Sequence, residues 1–495
     1  MSAMPGPPAR THQADIAVVG AGAAGLYAAI CAARQGADVV LVSATPLAQT
    51  ASYWAQGGLA ATLAADDSFE QHLEDTERAG RDLVRRSAAE ILVAEAPARV
   101  RDLQSLGVRF DADRFGELAL GLEGGHSVRR VVHAGGSATG RRVVRQLSAL
   151  AVAEHRIAVL EGARARALWR DEQGVGGVVC ESDVVLARRG VLLATGGAAA
   201  LWSRTTNPPG SQGVGLVLAH AAGAALADLE LLQFHPTAVI GLPGREGFLV
   251  TEAIRGEGAT LLDSAGERFV EELAPRDEVA LAIQQLLART GERSVGLDMR
   301  AVDPAHFPNV VTALREAGID PSSELVPVAP AAHYMMGGIV TDLDGRSTVP
   351  GLYAVGESSC TGLHGANRLA SNSLSECFVF ARRAIAHALA SEAGAAPAPS
   401  AAELAELASR EPPVAGRETR EALWRDAGIV RDAESLERLL EDPHPLSRLI
   451  ARCALARRES RGAHLRSDFP GRDAGLNRRH AVVSGADALD WQTWD

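Results

Sequence analysis

The sequence contains no lysine, so all 49 of its basic residues are arginine. That absence excludes a pyridoxal phosphate aldimine, a lysine Schiff base and a Walker-type phosphate lysine. Every permanent cation is a planar guanidinium, suited to gripping carboxylate or phosphate with two hydrogen bonds. A GC-rich genome swapping arginine for lysine explains most of this bias, and the exclusion holds either way. Cysteine is scarce. Cys31, Cys180, Cys360, Cys377 and Cys453 are scattered, with no CxxC and no metal-ligand spacing. Such a set predicts reduced thiols, a cytoplasmic setting and no metal site. Positive charge is also in deficit, since 61 acidic residues leave a net charge of −12, which argues against nucleic acid as a partner. No membrane segment is expected. Ala17–Ala33 is uncharged but rich in Gly and Ala, and it reads as a strand and a helix joined by a glycine turn. Residues 1–12 lack the charged start and apolar core of a signal peptide.

What is present is a chain of 495 residues, 47% hydrophobic and 22% charged, which predicts a soluble globular protein of about three domains. Asp15–Gly20 reads as a buried strand, Gly25–Gly36 as a helix and Asp38–Val42 as a second strand, forming a βαβ unit. Val178–Leu186, Val191–Ala194 and Leu352–Val355 are further strand-like runs. The region between, 237–349, carries more proline, charge and loop character. The predicted fold class is therefore α/β: a Rossmann-like nucleotide-binding domain (1–236 and 350–393) with an inserted α+β capping domain (237–349). Gly394–Ser400 reads as a linker. Apolar spacing after it, as at Leu446, Leu449, Ile450 and Cys453, predicts a C-terminal helical domain over 401–495.

Gly20-Ala21-Gly22-Ala23-Ala24-Gly25 is a GxGxxG between that first strand and helix. Gly20 suits the tight turn, Gly22 the approach of a pyrophosphate, and Gly25 close packing of helix on strand. The helix N-terminus then favours phosphate. This fingerprint leaves NAD and FAD both open. Ser43 stands where an NAD-binding acid is expected, which weakens the NAD reading, although its hydroxyl could bond a ribose. Three other segments favour FAD. Ala194-Thr195-Gly196-Gly197 closes a strand with small residues. Gly351–Glu357 is a strand ending in Gly-acid, so Glu357 can accept from a ribityl hydroxyl. Ala55-Gln56-Gly57-Gly58 is a glycine loop fit to run beside a flavin ring.

These motifs, with EGGHSVRRVVHAGGSATG (123–140), FHPT (234–237), TEAIRGEGATL (251–261), LAPRD (273–277), HYMMGGI (333–339), GLHGANRLASNSLSEC (362–377) and ESRGAHLRSDFP (459–470), span nearly the whole chain. In them the sequence resembles the fumarate reductase and succinate dehydrogenase flavoprotein superfamily and, within it, the L-aspartate oxidases. The resemblance implies one FAD per chain, held also by Ser52, Ala163, Asn372, Ser373 and Leu374. It places His235, Thr251, His333 and Arg368 at carboxylate-binding positions, assisted by Ser371. Arg276 matches the arginine that donates or accepts a proton beside the flavin, with Glu252 and Arg255 as supports. An arginine in water is too weak an acid for that task, so burial or a purely electrostatic role has to be considered. A surface pairing of Arg276 with Asp277 is the plain structural alternative. Glu123 matches a position that faces the substrate ammonium; a loop pairing with Arg129 or Arg130 is its alternative.

The implied reaction takes hydride from Cα of L-aspartate to the flavin while the ammonium loses protons, and yields iminoaspartate. Reoxidation follows by O2, giving H2O2, or by fumarate, as the first step of NAD biosynthesis. A channelling contact with quinolinate synthase stays open. Two other readings also stay open: a fumarate reductase or succinate dehydrogenase subunit, and a flavin-binding protein without turnover. Ala51, where that first group carries a flavin-bonded histidine, implies noncovalent FAD and favours the oxidase. Two positions depart from the family. Val214, in SQGVG, replaces an aspartate, and Ala44 replaces a basic residue. Both remove cofactor contacts, which predicts a micromolar FAD dissociation constant; a value well below that would contradict it.

Overall fold

The computed structural model describes residues 10–392 and 398–495. Residues 1–9 of the segment searched for a leader, and 394–397 of the expected linker, lie outside them. The fold is α/β. Arg10–Val19 pairs in parallel with Val39–Ser43 on one side and with Asp183–Leu193 on the other. Ile157–Glu161 and Leu352–Ala354 extend this sheet in parallel. Val39–Ser43 is completely buried and Arg10–Val19 is buried over its last four residues, as a sheet covered on both faces requires. The crossover helix Ala23–Arg34 is alanine-rich and buried along nearly its whole length, which lets it lie close against the sheet and against the helix Asn372–Ala390.

The run Val178–Leu186 is not one strand. The polar pair Glu181-Ser182 turns the chain, so Val175–Cys180 and Asp183–Leu193 form an antiparallel pair. Apolar content alone cannot register such a turn, because both arms are buried.

The inserted region is built on an antiparallel sheet ordered Leu232–Val239, Val326–Met335, Val295–Asp298, Thr260–Leu262. The helices Arg276–Thr290 and Pro308–Glu316 pack on its apolar face through Ile283, Leu286, Val310 and Leu314. Another strand of the 237–349 interval, Gly338–Val340, pairs with Leu226–Ala227 rather than with that sheet. After 400 the chain forms four helices, Ala401–Ser409, Arg417–Asp426, Ala433–Leu439 and Pro445–Ala456, joined by loops and the two-residue strand Val430–Arg431. It then closes in an antiparallel hairpin, Arg479–Ser484 with Ala488–Thr493, which joins the same small sheet. The helical expectation for 401–495 therefore fails at its end, where Val482 and Val483 are buried as strand residues. Among the described residues no helix is long and apolar enough to cross a membrane.

Candidate active site

The glycine fingerprint lies where the first strand hands over to its helix. Gly20 has φ +107°, and a Cβ there would lie 2.2 Å from the Ala194 carbonyl oxygen; at Gly25 it would lie 1.9 Å from Gly20 O. Both positions exclude any side chain. A Cβ at Gly22 would press on Ser52 Oγ at 3.1 Å and otherwise meet only Ser52 Cβ, so this glycine keeps the approach beside Ser52 open. Ala21, Ala23 and Ala24 are buried around it. Ser52 Oγ accepts from Ala23 N at 3.1 Å, occupying one free N–H of the helix start. Ser43 is buried at its strand end and donates its hydroxyl to Thr45 O at 2.6 Å, leaving only lone pairs for a ribose.

Across the sheet edge, Thr195 Oγ1 is buried without a partner and Gly196, at φ +77°, faces open space. Glu357 accepts from Met335 N at 3.0 Å and from Gly197 N. Burial pushes its carboxyl up to about 7 against those bonds. The Ala55–Gly58 loop is anchored by Gln56, whose Nε2 donates to Leu249 O at 2.6 Å while its Oε1 has no partner. Asn372, Ser373 and Leu374 form the first turn of a 19-residue helix, whose N–H groups lack carbonyl partners within it. The Asn372 side chain is already committed to His72 and Thr76. Ala163 lies between two strands, packed on the core. Orphaned buried oxygens, a clash-free glycine opening and a free helix start fit a dinucleotide bearing hydroxyls and phosphates. Val214 offers only an apolar side chain, at the start of its helix.

The second half of the site is a basin of cations. Strand pairing slips between Gln233/Tyr334 and Phe234/Ala332, which makes His333 a bulged residue. A bulge re-aims its side chain, and the His333 ring lies 5.1 Å from that of His235. Pro236 and Pro330, which have no N–H, flank a second slip in the same ladder. His333 Nδ1 bonds Thr206 Oγ1 at 2.7 Å, and His235 Nδ1 accepts from Thr237 N at 3.2 Å. Burial first, then Arg276, holds both imidazoles well below their ordinary range. They are neutral hydrogen-bonding groups. Thr251 caps the short helix Glu252–Gly256, which carries Glu252 and Arg255.

Arg276 opens its own helix, and its Nε donates to Glu252 Oε2 at 2.6 Å. Asp277 pairs instead with Arg81, from Nε at 3.0 Å and Nη2 at 3.1 Å. Arg255 Nη2 stands 3.5 Å from Glu252 Oε1, so Glu252 lies between the two guanidiniums. Gly124 makes room for it, since a Cβ there would meet Glu252 Oε1 at 2.1 Å. Arg368 stacks 4.4 Å from the Tyr334 ring centre and donates to Ser373 Oγ. Burial, then Arg276, brings its guanidinium down to about 10.

Glu123 is 1% exposed. Its Oε2 accepts from Ser371 Oγ at 2.6 Å, and Oε1 lies 3.3 Å from His133 Nε2. Burial raises its carboxyl, but His133, Ser371 and Arg276 outweigh that and bring it to about 2. Neither loop arginine pairs with it: Arg130 binds Asp67 and Asp75, and Arg129 lies 3.5 Å from Glu257.

Gln233 was not anticipated. Its Oε1 accepts from Arg276 Nη1 at 3.0 Å and from Arg368 Nε and Nη2 at 3.3 and 3.2 Å. Its amide nitrogen donates to Asn367 Oδ1 and Arg368 O. One neutral oxygen thus holds two guanidiniums in register. The only sequence signal was its place two residues before His235, in an otherwise apolar run.

A dinucleotide cradle opening onto buried guanidiniums, neutral imidazoles and one ammonium-compatible carboxylate defines a flavoprotein of the dicarboxylate-binding class. The FAD binding domain family matches residues 15–374, and the fumarate reductase flavoprotein C-terminal family matches 439–493. A solved quinol-fumarate reductase superposes with a TM-score of 0.89 at 30% identity, over 98% of this chain and 99% of that one. L-aspartate oxidase of Caulobacter vibrioides is 45% identical over 94% of this chain and 96% of its own; that of Agrobacterium fabrum is 44% identical over 94% and 93%. The chain belongs to the L-aspartate oxidase family.

Proposed function

We propose that the chain oxidises L-aspartate to iminoaspartate with noncovalent FAD. The observation that carries this reading is Glu123: a buried, ionised carboxylate placed among groups that otherwise suit only anions. A dicarboxylate without nitrogen gains nothing from it, whereas an ammonium is held. Bound FAD would supply the two-electron acceptor for the hydride from Cα, the ammonium giving up its protons to solvent, with O2 or fumarate as the final oxidant. Gly20 to Gly25, Thr195 to Gly197 and Glu357 would hold it. Ala51 offers no nucleophile for covalent attachment, which speaks for the oxidase over a succinate dehydrogenase subunit.

Arg368, His235, His333 and Thr251 bind the substrate carboxylates. Two nitrogens of Arg276 are engaged by Glu252 and Gln233, which leaves Nη2 free to meet the substrate. There a fixed guanidinium orients a substrate carboxylate by charge-assisted hydrogen bonds, so that the Cα–H bond is held for hydride loss. Residues 237–349 act as a lid that shuts out water. The iminoaspartate product hydrolyses in water, so direct transfer to quinolinate synthase, in the cytoplasm and on the route to NAD, fits the chemistry. Replacing Arg276 by Leu should abolish flavin reduction by L-aspartate while FAD stays bound. Retained turnover would remove Arg276 from this role.

A further inference from the structure

A carboxylate that recognises an ammonium must stay ionised after burial, and must present a fixed oxygen. Ser371 secures one oxygen of Glu123, at 2.6 Å. The other faces His133 Nε2 at 3.3 Å. The chain arranges this contact through short paired strands. Leu120–Gly121 lies antiparallel to Val131–Val132, and Glu123 and His133 follow these two strands. Gly121 clears the space for the imidazole, since a Cβ there would meet His133 Cε1 at 2.6 Å. Gly57, on the flavin-side loop, keeps the opposite face open: a Cβ there would come within 3.3 Å of Ser371 Oγ and 3.5 Å of Glu123 Oε1. Because Arg129 and Arg130 are paired elsewhere, His133 is the nearest basic group that can fix this oxygen. Its side chain keeps 13% exposure, so it adjoins solvent while Glu123 does not.

We propose that His133 is a positioning residue that sets specificity for amino-bearing dicarboxylates, acting through Glu123 rather than touching the substrate. It donates from Nε2 to Glu123 Oε1 and leaves the carboxylate aimed at the ammonium. His133 and Ser371 favour ionised Glu123 against the cost of its burial. The inference rests on the reading of Glu123 as the ammonium's partner.

The test compares two ligands and three variants of the FAD-loaded enzyme: kcat/KM for L-aspartate, and the dissociation constant of succinate, which lacks the amino group. His133→Phe should lower kcat/KM for L-aspartate about tenfold, the size of one charge-assisted hydrogen bond, and leave succinate binding unchanged. His133→Gln, which retains an N–H donor, should recover most of the loss. Glu123→Gln separates the two readings. If it spares L-aspartate in an active enzyme, the ammonium role of Glu123 is wrong. If it costs L-aspartate alone while His133→Phe costs nothing, or costs both ligands equally, the assignment of His133 is overturned. Failure of His133→Gln to recover activity counts against it as well.

Discussion

Gln233→Leu removes the oxygen that holds Arg276 and Arg368 together while keeping the side chain's bulk. Two guanidinium nitrogens bonded to one oxygen lie no more than about 6 Å apart, where unit charges repel by about 3 kcal/mol at an effective dielectric of 20. The depressed guanidinium of Arg368 records the same repulsion beside the cost of burial. Gln233 offsets it with hydrogen bonds to charged donors, each worth about 1.5–3 kcal/mol net. Without them, the two arginines can keep their places only when a substrate carboxylate is present, and the free enzyme lets them spread. Binding then has to restore the geometry, so a loss of about 2–3 kcal/mol in transition-state stabilisation is expected, roughly 30- to 150-fold in kcat/KM. On the proposed roles, Arg368 binding a substrate carboxylate and Arg276 orienting the substrate at the reacting centre, KM should rise and kcat should fall together. Steady-state turnover of the FAD-loaded variant on L-aspartate, with O2 or fumarate as acceptor, measures both. A folded, flavin-loaded Gln233→Leu protein whose kcat/KM stays within about threefold of the unsubstituted enzyme would refute the reasoning.

Arg81→Ala removes the fork that ties Asp277 and Glu278, in the helix of the inserted region, to the nucleotide-binding part. Asp277 is left with Asn367 and the backbone N–H of Glu278, so the lid should close less firmly. KM for L-aspartate should rise about tenfold, consistent with roughly 1–3 kcal/mol for a buried carboxylate left short of a partner, while FAD affinity stays constant; titration and steady-state kinetics check both. Stability should fall as pH drops below about 6.5. His72, His235, His333 and His464 are all held below the ordinary value of 6.5, chiefly by burial. Each takes up a proton on unfolding in that range, at up to about 1.4 kcal/mol per pH unit. Melting temperatures at pH 7.5 and 5.5 test this, and an unchanged or higher value at pH 5.5 would contradict it.

The parts of the fold and site that could be read from the sequence are those in which the chemistry is local. GAGAAG, with its flanking strand and helix, states its own geometry, because no other residue than glycine fits at Gly20 or Gly25. The arginine and histidine motifs announce an anion site by residue type. Gln233 could not be read that way: a neutral amide in an apolar run gains its meaning only when Arg276 and Arg368 arrive from distant segments. The Arg81–Asp277 fork joins residues 196 apart, and no spacing rule links them. His333 reaches His235 through a strand bulge, which residue type does not encode. The C-terminal hairpin was hidden by its helical neighbours and by the brevity of its buried face.

The most direct test of the central claim is anaerobic flavin bleaching. The FAD-loaded protein is mixed with L-aspartate or with succinate, and the oxidised flavin absorbance is followed. The account predicts bleaching by L-aspartate and little or none by succinate. Bleaching by succinate with none by L-aspartate would contradict it.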